Sequence, residues 1–132
     1  MSDTETTEFD TVVEQLTPSD FESGSAKLKE KECCIILFYA PWCGHCTQFK
    51  PVYAEFAKKF VSFRVAALDC DKYKDHIDSV NKEGLISIQG YPTVHFYKKG
   101  VPEKEYTQGR TVDKLTAFGM GMCNTKCGCS TN

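Results

Sequence analysis

Residues 33–39, Cys-Cys-Ile-Ile-Leu-Phe-Tyr, form an unbroken apolar run that stops one residue before Pro41-Trp42-Cys43-Gly44-His45-Cys46. A strand with no polar alternation is covered on both faces, as in the middle of an α/β sheet. Beyond the break, Phe49, Val52, Tyr53, Phe56, Ala57 and Phe60 recur at helical spacing, with Lys50, Glu55, Lys58 and Lys59 between them. The stretch therefore reads as strand, tight turn, helix. Pro51 lies inside that helix and is expected to kink it.

The turn places two cysteines at the start of the helix. Cys43 falls at its N-terminus, where unpaired backbone N–H groups and the positive end of the macrodipole favour negative charge. Such placement lowers a cysteine pKa from ~8.5 into the range of about 3.5–7.5. Cys46, one helical turn further in, is placed to attack a mixed disulfide formed on Cys43. Trp42 and Pro41 shape an apolar approach. A structural disulfide would gain little from closing so short a loop, and a zinc site would need two further ligands that do not follow at zinc-finger spacing. His45 reads either as a solvated turn residue or as a group that stabilises the Cys43 thiolate, making the disulfide form a stronger oxidant.

A chain of 132 residues fits one domain, and its 41% hydrophobic content suffices for a core without staples. The net charge of −2, with both signs interspersed, gives no footprint for nucleic acid or a membrane surface. No apolar run approaches the ~20 residues needed to span a bilayer.

Along the chain, residues 1–10 read as a mobile tail and residues 12–16 as a short strand. Thr17 and Pro18 suit the cap and first position of a helix anchored by Phe21. Residues 63–69 form the next strand, parallel to 33–39 by βαβ logic, and 71–82 a weaker helix stopped by Gly84. A hairpin follows, with strands at 93–97 and 103–107 around the turn Lys98-Lys99-Gly100. Val112, Leu115 and Phe118 mark a last helix. The division is a tail at 1–10, one domain at 11–122 and a cysteine-rich tail at 123–132.

The segment Phe-Tyr-Ala-Pro-Trp-Cys-Gly-His-Cys at 38–46, with Pro51 and the later Gly90-Tyr91-Pro92-Thr93, resembles a catalytic domain of a protein disulfide isomerase over about residues 12–122. The resemblance implies a thioredoxin fold: α/β, a mixed central sheet of four to five strands with helices on both faces. It implies a thiol–disulfide oxidoreductase that forms, reduces or rearranges protein disulfides through a redox-active Cys43–Cys46 disulfide, needing no organic cofactor or metal. Catalytic roles are expected for Cys43, Cys46, His45 and Arg110, and substrate binding at Trp42, Tyr91 and Pro92. A cis Tyr91–Pro92 bond is implied, with the Tyr91 backbone pairing with extended substrate chain. The implied partners are unfolded or disulfide-bearing proteins and a thiol redox partner such as glutathione or an oxidase.

Two positions depart from the family pattern. The buried acid usual six residues before the first cysteine is Leu37 here, and its lysine partner aligns with Ala67. Both halves of the pair are absent together, so no orphan charge is buried, but Cys46 is expected to lose its proton slowly. Arg110 matches a family arginine that lowers the pKa of the second cysteine by its charge, or it is a surface arginine capping the hairpin.

The other cysteines read as packing residues (Cys33, Cys34), a buried free thiol (Cys70) and an exposed tail (Cys123, Cys127, Cys129) that could instead hold a second disulfide, an exchanging thiol or a soft metal ion. His76 and His95 read as surface residues. The family implies the endoplasmic reticulum lumen, whereas a polar, acidic N-terminus with no signal-peptide pattern implies the cytoplasm if that N-terminus is native. The rival functions are a cytosolic thioredoxin-like disulfide reductase and a non-catalytic peptide-binding or chaperone module.

Overall fold

The computed structural model describes residues 8–123. Strand β2 (Cys34–Tyr39) is buried at every position, as its unbroken apolar run predicts. It pairs in parallel with β3 (Arg64–Asp69) on one side and antiparallel with β4 (Thr93–Lys98) on the other. The two-residue β1 (Glu14–Gln15) adds to β3, and β5 (Val101–Tyr106) to β4, giving the order β1-β3-β2-β4-β5. The hairpin turn uses Lys99 and Gly100 at φ of 57° and 82°, the left-handed pair that a tight connection between twisted strands requires. Gly100 is also sterically fixed, because a Cβ there would lie 2.9 Å from the Leu28 carbonyl oxygen.

Alternation along β2 divides the interior in two. Ile35, Leu37 and Tyr39 face α1 (Glu8–Val12), α2 (Gly44–Lys59) and α4 (Val112–Met122), packing with Phe9, Tyr53, Phe56, Leu115 and Phe118. Cys34, Ile36 and Phe38 face α3 (Lys74–Glu83) and the loop before β2, packing with Leu16, Phe21, Leu28, Ile77 and Val80. Helices thus cover both faces of a five-stranded mixed sheet. The Tyr53 hydroxyl lies 3.1 Å from the Ile35 carbonyl and 2.9 Å from that of Ala66, donating in the core between β2 and β3.

Several local readings change. Residues 8–10 are not tail: they open α1, and Phe9 is buried against Tyr39 and Tyr53. The helix expected after Thr17 is only a 3-10 turn, Pro18–Asp20, because Phe21 turns to extended backbone and bridges to Leu28. His76 and His95 are buried rather than superficial, each with an unpartnered Nε2. His76 packs tilted against Phe21, and His95 sits edge-on to Phe38.

Cys33 is more than a packing residue. It forms a disulfide with Cys123, 90 residues away, fastening the end of α4 to the start of β2. Cys34 faces the opposite side of the sheet and stays a thiol. Cys127 and Cys129 lie outside the described residues.

Candidate active site

The turn between β2 and α2 sits at the carboxyl end of two parallel strands, the end at which open α/β sheets carry their sites. Cys43 is the N-cap of α2, half-buried and without a closed side-chain capping bond. Its thiol donates to the Tyr91 carbonyl at 3.5 Å, and the Tyr91–Pro92 peptide that presents this carbonyl is cis.

The two thiols are driven apart. Partial burial disfavours the Cys43 thiolate, but it is outweighed by the backbone N–H and thiol of Cys46, the N–H of His45 and the charge of Arg110, so the pKa is lowered. Cys46 is completely buried, and its pKa is pushed up to about 11, chiefly by that burial. The Ala40 N–H and the charge of Lys50 oppose the rise, whereas proton sharing with Cys43 adds to it. Of the two, the outer sulfur is therefore the more acidic, and the inner one holds its proton more tightly. Both are thiols in this structure.

The expected site residues separate into groups. His45 is exposed and reaches Cys43 through its backbone N–H. Arg110, also exposed, acts on Cys43, and Lys50 is a cation that acts on Cys46. Arg110 lines a cavity of about 200 Å³ with Phe49, Pro92, Val94 and Tyr106. Trp42 is 68% exposed, its Nε1 donating to Asp71 at 3.0 Å and its ring edge-on to Tyr91 at 5.9 Å. Trp42 and Tyr91 form an apolar platform beside the outer sulfur. Cys70 is buried at the same end of the sheet, close to the Tyr91 side chain, and burial pushes its pKa up to about 12. Leu37 and Ala67 are direct partners in the β2–β3 register, so the two missing charges would have faced each other across the core.

Sequence reasoning missed Lys50, which was assigned only to the polar face of α2. Its spacing of four from Cys46 was the available signal. Among the described residues, no group of three or more His, Cys, Asp and Glu side chains could hold a metal ion, and no helix is long and apolar enough to cross a membrane.

Comparison with known proteins gives the same frame. The chain is 36% identical over 119 residues to the protein disulfide isomerase-like 2-2 of Oryza sativa subsp. japonica, covering 87% of this chain and 29% of that protein. It is 37% identical over 87 residues to the protein disulfide-isomerase of Oryctolagus cuniculus, covering 61% of this chain and 16% of that one. The chain thus spans under a third of the length of the curated relatives it matches. The crystal structure of the Trx4 domain of ERdj5 superposes with a TM-score of 0.65 at 28% identity, covering 83% of this chain and 94% of that domain. The thioredoxin family model matches residues 12–119, and the chain belongs to the thioredoxin family, as a domain of the kind that protein disulfide isomerases carry.

Proposed function

We propose that the chain is a thiol–disulfide oxidoreductase of the protein disulfide isomerase type, acting through Cys43 and Cys46. The observation that carries this reading is the division of acidity between the two sulfurs. Thiolate is the attacking species in disulfide exchange, and a low-pKa thiol is also the better leaving group. In reduction or isomerisation, the Cys43 thiolate attacks a substrate disulfide and one substrate sulfur departs as thiolate. Cys46 then loses its proton to solvent and attacks the Cys43 sulfur, closing the Cys43–Cys46 bond and releasing the second substrate sulfur. In oxidation the steps run backwards, starting from a substrate thiolate.

Substrate chain would lie over Trp42 and Tyr91, with backbone pairing at Tyr91 giving little dependence on side chains. The N–H of His45 and the charge of Arg110 support the outer thiolate. Disulfides such as Cys33–Cys123 persist in oxidising compartments, which supports the lumen of the endoplasmic reticulum over the cytoplasm.

Equilibration of Cys43–Cys46 against glutathione tests the reading. A potential near about −180 mV is expected for an isomerase, whereas one near about −270 mV would reassign the chain as a thioredoxin-like reductant. Insulin reduction by the Cys43→Ala variant at the wild-type rate would remove the enzymatic reading and leave the peptide-binding one.

A further inference from the structure

Lys50 follows Cys46 by four residues on α2, which puts the two side chains on one helix face with Cβ atoms about 5–6 Å apart. Its ammonium is turned inward. Nζ lies 4.7 Å from the ring centroid of Tyr39 and 5.2 Å from that of Phe9. Tyr39 ends β2, and Phe9 comes from α1. The two rings meet edge-on at 5.4 Å and belong to the same core cluster as Cys46. The positive charge is thus clamped between the N-terminal helix and the strand that delivers the active-site turn. A lysine on a four-carbon stem is otherwise free to leave such a place; two aromatic faces hold it there. A cavity of about 300 Å³, lined by Glu8, Phe9, Thr47, Lys50 and Pro51, adjoins the ammonium.

Position 37 is a fully buried leucine and its strand partner is Ala67, so neither contributes charge. Arg110 acts on the outer sulfur instead. We infer that Lys50 is the positioning residue of the resolving step, a fixed cation beside Cys46 that stabilises its thiolate while it attacks the mixed disulfide on Cys43. The inference rests on the exchange reading of Cys43 and Cys46 given above. In that step the Cys46 S–H proton passes to solvent. The new Cys43–Cys46 bond forms as the Cys43–substrate bond breaks, and the departing substrate thiolate takes a proton from solvent. Electrons balance without any further reactant. The other charged or titratable groups around this corner are Tyr39, Glu8 from α1, which pairs with Lys58, Asp10 from α1, Asp69 from the end of β3, Cys70 and Cys43 itself.

Only a small fraction of Cys46 is ionised at neutral pH, so loss of one clamped neighbouring charge removes roughly tenfold of that fraction. The test mixes the reduced protein with oxidised glutathione, quenches with acid at set times and weighs the intact protein. Wild type, Lys50→Met, Lys50→Gln and Lys50→Arg are compared. The neutral variants are expected to gain the glutathione adduct at the wild-type rate and to lose it roughly tenfold more slowly, equivalent to about 1.4 kcal/mol, with Lys50→Arg near wild type. Lys50→Gln serves if Lys50→Met fails to fold. An unchanged adduct lifetime in the neutral variants overturns the inference. So does a Lys50→Arg variant as slow as Lys50→Met, or an equal slowing of both steps. If wild type forms neither the adduct on Cys43 nor the Cys43–Cys46 disulfide, the exchange reading itself falls and takes this one with it.

Discussion

Removing the Cys33–Cys123 bond should cost a substantial share of the fold's stability. The bridge spans a sequence separation of 90 residues. The chain-entropy relation for a loop of that size gives a loss of about 4.6 kcal/mol at 25 °C as an upper figure, with about 2–5 kcal/mol typical for native bridges. The structure argues for the higher part of that range. Both sulfurs sit in the core cluster, where α4 is held by Leu115 and Phe118 against Phe96 and Tyr106, so the intact bridge is not straining a loose end. The assay is urea unfolding of a Cys33→Ser, Cys123→Ser double variant against wild type, with m near about 1.5 kcal/mol/M for a chain of this size. The midpoint is expected to fall by roughly 2–3 M. Equal midpoints, or a thiol titration finding Cys33 and Cys123 free in native protein purified without reductant, would refute the reasoning. Active-site exchange in the double variant, measured well below its midpoint, should be unchanged, since the bridge lies at the opposite end of β2.

Other perturbations give outcomes of known sign. Leu37→Glu buries a carboxylate opposite Ala67 with no cation across the strands; it is expected to lower stability by about 3 kcal/mol while speeding release of a mixed disulfide from Cys43, and no acceleration in single-turnover kinetics would count against a slow Cys46. Gly119→Ala should lose roughly 1–2 kcal/mol despite its helix propensity, because the new Cβ would sit 2.8 Å from Cζ of Phe60, and a thermal melt at or above wild type would contradict this. Burial holds His76 and His95 below their ordinary value of 6.5, so as pH falls the unfolded chain binds protons first. Stability is then full above about pH 7 and declines towards about pH 5, and replacing both histidines with Gln should flatten urea midpoints over that interval.

The central strand and the site were legible because each rests on local pattern. An apolar run without alternation has one home in an α/β sheet, and six apolar residues at helical spacing after the turn at Pro41 can form only the helix that holds Cys43 at its tip. What escaped depends on contacts distant in sequence. Phe9 is a lone aromatic in an acidic stretch, and nothing local says that α1 folds back on Tyr39. His95 carried a signal that was not used: it lies between Val94 and Phe96 in a strand covered on both faces, so either orientation buries it. Lys50 sits in the sequence as one more charge on an amphipathic helix, and only the closure of two rings over it separates it from Lys58 and Lys59, which pair with acids at the surface.

If Cys43 is the exchanging thiol proposed above, the chain must keep it from the fixed disulfide, and the sheet does this by two means. The first is distance: β2 runs six residues from Cys34 to Tyr39, about 20 Å at the rise of an extended strand, with the bridge at one end and Cys43 beyond the other. The second is ionisation. Cys34 neighbours Cys33 in sequence, but it points to the other face of the sheet, and burial pushes its pKa up to about 12. Cys70 is buried near the active site and raised to about the same value. Exchange requires a thiolate. Among the described residues, therefore, only Cys43 can start it, because it alone is a free cysteine not fully enclosed and alone has a lowered pKa. Cys46 joins only after Cys43 has made a mixed disulfide within its reach. The same burial raises the pKa of Cys34, Cys70 and Cys46 alike, and on the proposed reading the clamped Lys50 beside the last of these is what would distinguish it.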